Sequence, residues 1–255
     1  MRKLLEARTA VVTGGSRGIG KATAVLFAEE GANLIVTGRS METLEETVAA
    51  VEAVGGKALA VVADSVDPAA PKRVFEEGIK AFGQIDILMN NAGWSDMAAI
   101  EETEDELFDE MIQINLFGVF RYAREAVRHF LPRGNGAIIN VSSVNAFKPI
   151  CGVSYCATKG AVDTLTKNVA LRLAGTGVRC NGIRPGATDT YLVEAWNKGE
   201  LPGSQIMIDV SQKYVNWDLP TVKPIEQAQT ALFLASDMSS AINGQLITVD
   251  NAAFM

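Results

Sequence analysis

Tyr155 and Lys159 are the two residues of this 255-residue chain whose types and spacing most directly suggest chemistry. Side chains four residues apart lie on the same face of a helix, so a helical segment here would bring the phenol and the ammonium together. A nearby ammonium favours the phenolate and lowers the pKa of a tyrosine from about 10. A phenol tuned in this way can act as a general acid and base near neutral pH.

A second motif, near the N-terminus, is typical of a nucleotide-binding turn. Gly14, Gly18 and Gly20 belong to Thr13-Gly-Gly-Ser-Arg-Gly-Ile-Gly20, which follows a predicted strand and opens a predicted helix. Glycines let a backbone approach a pyrophosphate, and a helix N-terminus offers free N–H groups and partial positive charge. A tight turn without a ligand is the alternative, and the strand–turn–helix context favours the cofactor. Together the two motifs predict an enzyme that moves a hydride and a proton.

The end of the second predicted strand distinguishes between the two nicotinamide cofactors. NAD-binding turns usually carry a carboxylate there, about 20 residues on, which holds the ribose hydroxyls. Gly38 and Arg39 occupy this position instead, and Arg17 lies within the glycine turn. Either arginine alone would also fit a solvated surface. Two guanidinium groups flanking one ribose suit a phosphate, so the sequence favours NADP(H) over NAD(H).

Short apolar runs alternate with longer amphipathic segments along the chain. Apolar runs bounded by Gly, Asn or Asp predict parallel strands at Thr9–Thr13, Asn33–Gly38, Ala58–Ala63, Ile85–Asn90, Gly136–Val141, Gly177–Ile183 and Gln245–Val249. The amphipathic segments predict helices at Gly18–Glu30, Met41–Val54, Pro68–Phe82, Thr103–Phe130, Ser154–Ala174 and Pro224–Ser236. Pro68 and Pro224 suit a first helical turn, and Thr103-Glu-Asp-Glu106 fits a capping box.

This alternation predicts an α/β fold over residues 1–255. We expect one Rossmann-like domain, a doubly wound parallel sheet of about seven strands with helices on both faces. A segment at about 187–222, which contains several aromatic residues, interrupts the alternation just after a strand. Because α/β sheets bind ligands at that edge, we expect this variable segment to bind substrate.

Composition limits the class of protein. The net charge of −7 argues against a nucleic-acid partner, and no apolar stretch approaches the ~20 residues that span a bilayer. Three cysteines without C-x-x-C spacing, and no recognisable signal peptide, predict a cytoplasmic protein with reduced thiols. The single histidine, His129, argues against a Ser-His-Asp hydrolase. The sequence predicts no metal site.

In the order of its motifs the whole chain resembles the short-chain dehydrogenase/reductase family, in particular NADP-preferring members similar to 3-oxoacyl reductases. Besides the glycine turn, the resemblance rests on Asn90-Asn-Ala-Gly93, Asn115, Ile139-Asn-Val-Ser-Ser143, the Tyr155/Lys159 pair and Arg184-Pro-Gly-Ala-Thr-Asp-Thr190. One departure is that Ser143 lies twelve residues before Tyr155, where thirteen is usual. Ser142 would restore the count, but the strand end aligns better with Ser143.

The resemblance implies hydride transfer between nicotinamide and a carbonyl carbon. Tyr155 would pass the proton, Lys159 would lower its pKa, Ser143 would hydrogen-bond the substrate oxygen, and Asn115 would hold a water of the proton path. The implied cofactor contacts are Gly14, Ser16, Arg17, Gly18, Ile19, Gly20, Gly38, Arg39, Asp64, Asn91, Ala92, Gly93, Tyr155, Lys159, Pro185, Gly186, Thr188 and Thr190. The expected substrate contacts are Ser143, Asn145, Trp94 and Tyr191.

The resemblance also implies a homotetramer that packs through the two long helices. Candidate apolar contacts there are Val119, Ala123, Ala161, Leu165 and Val169, although the same residues would also suit packing against the sheet.

Several functions stay open at this level. The leading hypothesis is a carbonyl reductase or secondary-alcohol dehydrogenase acting on a small molecule. A 3-oxoacyl-thioester reductase would need a basic surface for an acyl carrier, for which Lys148, Lys198 and Lys213 are candidates. A sugar or polyol dehydrogenase would need polar groups in the variable segment. An NADP-binding regulatory protein without catalysis is a different class, and retention of the catalytic set argues against it.

Overall fold

The computed structural model describes residues 3–191, 198 and 203–255. The strands are β1 (Thr9–Val12), β2 (Asn33–Gly38), β3 (Lys57–Val62), β4 (Ile87–Asn90), β5 (Gly136–Val141), β6 (Val178–Pro185) and β7 (Leu246–Val249). They form one parallel sheet in the order β3-β2-β1-β4-β5-β6-β7. The predicted fold class is therefore confirmed. The direction of winding reverses between β1 and β4, which is where open α/β sheets bind ligands.

Helices cover both faces of the sheet. They are α1 (Gly18–Glu29), α2 (Met41–Ala53), α3 (Ala70–Phe82), α4 (Asp105–Met111), α5 (Gly118–Phe130), α6 (Val153–Leu173), α7 (Gln205–Tyr214) and α8 (Pro224–Ala235), as numbered over the described residues. One core packs Val12 and Val36 against α1, α2 and α8, and the other packs Val11 and Ile35 against α3, α5 and α6. Neighbouring strand residues thus face opposite cores, as the pleat requires.

The helix predicted over Thr103–Phe130 is interrupted. A π-helical segment at Ile112–Phe117 separates α4 from α5, and its only buried residue is Asn115. π-Helical turns inside α-helices occur often at functional positions. The predicted continuous helix is therefore wrong at the point where the sequence places a catalytic candidate.

Two helix starts also differ from the prediction. The Thr103 hydroxyl donates to the Ala99 carbonyl oxygen at 2.8 Å, and α4 begins at Asp105 without a side-chain cap, so the capping box is wrong. Pro68 precedes α3, whose first turn contains Pro71 instead. Pro224 does occupy the first turn of α8 as predicted.

The candidate oligomer contacts on α5 face inward. Val119 and Ala123 are buried within the protomer, whereas the neighbouring Phe117 and Phe120 are about two-fifths exposed. On α6 the most exposed large apolar side chain is Leu171. A contact between copies through the first of these helices would therefore use Phe117 and Phe120 rather than Val119 and Ala123. The predicted contacts on α6, Ala161, Leu165 and Val169, are half-buried.

A third, smaller apolar cluster joins distant parts of the chain next to the carboxyl end of β5. Val144 and Ile150 pack there with Val215, Ala253 and Phe254. The cluster attaches the loop between β5 and α6 to the residues after α7 and to the last residues of the chain. Of the predicted variable segment, Val215 belongs to this cluster and Ala187, Val210 and Leu219 pack against it, while residues 192–197 and 199–202 lie outside the described part. No helix among the described residues is long and apolar enough to cross a membrane.

Candidate active site

The carboxyl end of β5 and the first two turns of α6 bring three predicted catalytic residues together. Ser143 follows β5, and Tyr155 and Lys159 lie one turn apart on α6. The Ser143 hydroxyl lies beside the Tyr155 phenol, since hydrogen bonding to Ser143 lowers the pKa of Tyr155. The Lys159 Nζ lies 5.6 Å from the centroid of the Tyr155 ring. Ser143 and Lys159 are buried and Tyr155 is partly exposed, so the three groups form a compact, shielded set.

The two serines at the end of β5 have different partners. The Ser142 hydroxyl donates to the Lys159 main-chain oxygen at 3.2 Å and is buried against α6. Ser143, the next residue, contacts the Tyr155 phenol. The unusual twelve-residue spacing therefore does not separate Ser143 from Tyr155, and the contact supports Ser143 rather than Ser142 as the candidate catalytic serine.

Burial governs the charge state of Lys159. Its Nζ donates to the Val141 carbonyl oxygen at 2.9 Å, and loss of solvent lowers its pKa to about 8. The carboxylate of Asp163, one turn further along α6, acts in the opposite direction and raises the pKa of Lys159. Asp163 itself accepts a hydrogen bond from Arg184 Nε at 2.8 Å. Because its pKa stays above 7, Lys159 remains mainly protonated at neutral pH.

The pKa of Tyr155 differs from the prediction in this structure. Burial raises the pKa of the phenol, hydrogen bonding to Ser143 lowers it, and the Cys151, Cys156 and Asp96 side chains raise it. The expected lowering by Lys159 does not dominate, because desolvation is the largest effect and the ammonium is bonded to Val141. Tyr155 is therefore a protonated phenol at neutral pH, which suits proton donation to a developing alkoxide.

Asn115 holds the loop after β4. Its Oδ1 accepts from the Trp94 N–H at 2.9 Å, and its Nδ2 donates to the Trp94 carbonyl oxygen at 2.8 Å. A Cβ built on Gly93 would lie 3.2 Å from Asn115 Oδ1 and 3.4 Å from Lys159 Nζ, so all three residues meet at this loop. The water expected at Asn115 stays a prediction, since the described contacts of its amide are to protein groups.

Asp96 is a buried residue that the sequence reasoning missed. Its carboxylate is fully buried and accepts hydrogen bonds from Ser154 Oγ at 2.6 Å, from the Tyr155 N–H at 3.3 Å and from the Ala98 N–H at 2.9 Å. It thus caps the first turn of α6 from a different loop. A Cβ on Gly152 would lie only 1.6 Å from Asp96 Oδ1. The available sequence signal was a glycine followed by a helix start, together with an acid close to the Asn-Asn-Ala-Gly motif.

The glycine turn is locked to the loop after β4. The Thr13 hydroxyl accepts from the N–H groups of Asn91 and Ala92, both at 3.0 Å, and Asn91 Nδ2 donates to the Thr13 and Gly14 carbonyl oxygens. A Cβ on Gly14 would lie 2.8 Å from Ala92 Cα, and one on Gly20 would lie 2.3 Å from the Gly14 oxygen. Gly14 and Gly20 are thus already required by packing within the protein.

The N-terminus of α1 fits the pyrophosphate of a dinucleotide. Arg17 precedes the helix without a side-chain cap, and the first turn contains no acidic residue. Gly18 has φ +54°, a conformation that favours glycine. Uncapped N–H groups at a helix N-terminus bind anions, so Gly18, Ile19 and Gly20 offer the expected cradle. The chemistry of this turn therefore fits the pyrophosphate of a dinucleotide.

The candidate 2′-phosphate contacts border the same turn. Arg17 and Arg39 are exposed, and Ser16 Oγ would lie 3.6 Å from a Cβ on Gly38. The Arg17 guanidinium carbon lies 4.1 Å from the ring centroid of Tyr191. Tyr191 therefore contacts the glycine turn, which does not support its predicted contact with substrate. Asp64, after β3, is half-buried and accepts from the Val66 N–H at 3.1 Å.

Two predicted threonines after β6 have different surroundings. The Thr188 hydroxyl is buried, donates to the Gly186 oxygen at 3.1 Å and accepts from Gln227 Nε2 at 3.1 Å. Thr190 Cγ2 lies 3.3 Å from the Cβ position of Gly18. Because the Thr188 hydroxyl is already satisfied internally, Thr190 is the better candidate for a cofactor contact. Pro185 ends β6 in a buried position beside these residues.

The predicted substrate contacts differ more from the structure than the predicted cofactor contacts do. Asn145 is buried, and its side chain bonds Ser143 and the Ile150 N–H, so its predicted contact with substrate is not supported. Trp94 is half-buried beside Asn115, as expected for a residue next to the nicotinamide loop. Lys148 Nζ donates to the Phe254 main-chain oxygen at 2.7 Å and lies 3.3 Å from that of Met255. The ammonium of this lysine therefore hydrogen-bonds the main chain of the last two residues.

The chain is similar to known proteins in both sequence and fold. A family model described as short chain dehydrogenase matches residues 8–201. The chain is 37% identical over 250 residues to the 3-oxoacyl-(acyl-carrier-protein) reductase FabG of Thermotoga maritima, covering 96% of this chain and 97% of that protein. It superposes on levodione reductase with TM-score 0.89 at 30% identity, covering 97% and 98% of the two chains. A 3-ketoacyl-(acyl-carrier-protein) reductase of Brucella melitensis complexed with NADH gives TM-score 0.87 at 30% identity, with 98% and 100% covered.

Proposed function

The chain belongs to the short-chain dehydrogenase/reductase family, oxidoreductases that act on CH–OH and C=O groups, and we propose that it reduces a small-molecule carbonyl with NADPH. The observation that carries the proposal is the meeting of Ser143, Tyr155 and Lys159 at the carboxyl end of β5. The reverse reaction, oxidation of a secondary alcohol, uses the same groups.

The residues would divide the work as follows. A bound nicotinamide cofactor supplies the hydride that forms the new C–H bond at the carbonyl carbon. Tyr155 donates its phenolic proton to the carbonyl oxygen as the C=O π bond breaks, which completes the alcohol. Ser143 donates a hydrogen bond to the same oxygen, and this bond strengthens as negative charge develops there. The Lys159 ammonium, 5.6 Å from the ring centroid of Tyr155, would favour the phenolate left on Tyr155 and assist its reprotonation.

NADP(H) is proposed as the cofactor because of the charge near the expected ribose. Gly38 supplies no carboxylate to repel a 2′-phosphate. Arg39, which follows it, and Arg17, which follows Ser16 of the glycine turn, are both exposed, and Ser16 Oγ lies 3.6 Å from the Cβ position of Gly38. Two similar structures favour NAD(H) instead, since one is complexed with NADH and the other is bound to NAD. The choice therefore rests on the residues of this chain, and a measured preference for NADH would overturn it.

The proposed substrate is a free ketone or diketone rather than a carrier-bound thioester. Lys148, one candidate for a carrier-binding surface, is bonded to the end of the chain instead. Val144, the residue after Ser143, packs with Ile150 and Phe254 in a buried apolar cluster. A 3-oxoacyl-thioester reductase is the second candidate, favoured by the identity to the Thermotoga maritima protein.

One assay distinguishes these functions. The protein is mixed with NADPH or NADH and with ketones, diketones, polyols, acetoacetyl-coenzyme A and an acetoacetyl carrier protein, and the loss or gain of reduced nicotinamide is followed by absorbance. Turnover of free ketones with NADPH supports the proposal, and turnover confined to thioesters supports the second candidate. Tight NADPH binding without turnover of any compound would instead indicate a regulatory protein.

A further inference from the structure

The hydrogen-bond directions around Asn145 are determined by its neighbours. The atom of its amide that lies 3.1 Å from the Ile150 N–H must be Oδ1, because a main-chain N–H can only donate. The other amide atom, Nδ2, therefore faces Ser143 Oγ at 3.3 Å and donates to it. The Asn145 main-chain N–H also donates to Ser143 Oγ, at 3.1 Å. In both contacts Asn145 is therefore the donor and the Ser143 hydroxyl oxygen is the acceptor.

The consequence concerns the proton of Ser143. A serine hydroxyl has two acceptor lone pairs and one donor proton. Asn145 donates to the oxygen twice, so no lone pair remains for a third donor and the proton must point to another partner. The Tyr155 phenol is the neighbouring group whose pKa is lowered by hydrogen bonding to Ser143, and a substrate oxygen bound beside both hydroxyls would take the same proton. A freely rotating hydroxyl would, by contrast, also present its lone pairs there.

We propose that Asn145 is a positioning residue that makes Ser143 an obligatory hydrogen-bond donor to the substrate oxygen. The inference rests on the proposed carbonyl reduction and deepens it, because it explains how one hydroxyl is dedicated to the developing alkoxide. The geometry arises locally: Ser143 precedes a single 3-10 turn, Val144–Ala146, so the N–H two residues on returns to its oxygen. The contact with Ile150 then fixes the side-chain amide, which the main chain alone cannot do.

The test reverses the hydrogen bond without changing the size of the side chain. Asn145→Asp replaces the donating amide by a carboxylate that can only accept, so the Ser143 proton turns toward position 145. We expect kcat to fall by about 10²–10³-fold, close to the loss in Ser143→Ala, because one oxyanion donor is lost in each. Asn145→Ala leaves Ser143 free to rotate, and we expect a loss of about tenfold, the size of one hydrogen bond. The dissociation constant for NADPH should stay near the wild-type value in all three variants.

A double-mutant cycle separates positioning from a general structural role or a charge effect. In the Ser143→Ala background, Asn145→Asp should change kcat by no more than about twofold, since the hydroxyl that it directs is already gone. An undiminished loss in that background would overturn the proposal. So would wild-type kcat in Asn145→Asp when the same assay shows normal turnover by the wild-type enzyme.

A structural readout keeps the inference independent of activity. In a high-resolution crystal structure of Asn145→Asp, the Ser143 Oγ should lie about 2.5–2.7 Å from the introduced carboxylate, the length of an O–H···O⁻ bond. Retention of the Ser143 contact with Tyr155, with a longer distance to the carboxylate, would overturn the inference. If wild-type protein reduces no carbonyl, the proposed function fails and this measurement still decides the direction of the bond.

Discussion

The hydroxyl of Ser154 donates to the carboxylate of Asp96 at 2.6 Å, and both side chains are fully buried. Through this bond and the one from the Tyr155 N–H, the loop after β4 holds the first turn of α6. The same loop contacts Asn115 through Trp94. The position of the Tyr155 phenol therefore depends on a carboxylate outside the recognised motifs.

Asp96→Ala should destabilise the protein and reduce turnover. Its removal leaves the donors of Ser154, Tyr155 and Ala98 without their buried acceptor, and we expect the free energy of unfolding to fall by about 2–4 kcal/mol. Asp96→Asn retains one oxygen acceptor, which can serve the Ser154 hydroxyl and the Tyr155 N–H, and should cost less. Urea denaturation of both variants measures the effect. Equal stability of Asp96→Ala and wild type would contradict the capping role.

Tyr155→Phe should remove nearly all turnover and leave the affinity for NADPH close to that of wild type. Only the phenolic oxygen is lost, so the proton donor disappears while the ring still packs. Tyr122→Phe is the control, because Tyr122 also loses only a phenolic oxygen but lies buried in the core that packs against α3, α5 and α6. Steady-state kinetics and NADPH fluorescence titration measure the two effects. Most of the wild-type rate in Tyr155→Phe would exclude Tyr155 as the acid.

The stability of the protein should rise with pH through the titration of Lys159. Its pKa is lowered from 10.5 to about 8 on folding, so between these values the unfolded chain binds the extra proton and the folded chain does not. The unfolding free energy therefore increases as the pH rises from about 8 to 10.5, by about 3 kcal/mol in total. Below about pH 8 the lysine is charged in both states, and the folded protein is destabilised by the full cost of burying that charge.

Lys159→Met isolates this contribution. The difference in unfolding free energy between wild type and variant is measured by urea denaturation at several values from about pH 7 to about pH 10. We expect wild type to gain stability relative to Lys159→Met as the pH rises. A difference that stays constant over this range would show that burial does not lower the pKa of Lys159.

Wild-type enzyme should prefer NADPH to NADH by tenfold or more in kcat/KM, because one charge-assisted hydrogen bond to the 2′-phosphate contributes about 1.5–3 kcal/mol. Gly38→Asp combined with Arg39→Ile should shift the preference toward NADH by adding repulsion and removing attraction. The atoms nearest a Cβ on Gly38 belong to side chains, Leu44 at 3.3 Å and Ser16 Oγ at 3.6 Å, so no main-chain atom opposes the change. Arg39→Ile alone measures the attraction. A wild-type preference for NADH would refute the assignment.

We expect the protein to form a homotetramer in solution through the exposed side of α5. Phe120→Glu places a charge on that surface and should shift the distribution toward smaller species in sedimentation equilibrium. Met41→Glu, at a similarly exposed apolar residue of α2, is the control and should leave the assembly unchanged. Wild-type protein that sediments as a monomer at micromolar concentration would refute the expectation.

The sequence by itself determined the fold class and the candidate catalytic set. The seven apolar runs predicted seven strands because burial on both faces of a parallel sheet leaves a continuous apolar signature in a short stretch of chain. The glycine turn and the Tyr155/Lys159 spacing were likewise local patterns. The predicted helices were wrong in two places where local signals competed. Pro71 rather than Pro68 lies in the first turn of α3, and a π-helical segment replaces the middle of a predicted helix.

Only the tertiary structure decided which polar groups face each other. Asp96 and Ser154 are 58 residues apart, and Lys148 meets the chain end across 106 residues, so no spacing rule connects them. Ser142 and Ser143 are neighbours in sequence, yet one bonds the main chain of α6 and the other bonds Tyr155. Hydrogen-bond direction, burial and the resulting pKa values depend on all the elements packed around a group. They are therefore properties of the folded chain, which a local pattern does not contain.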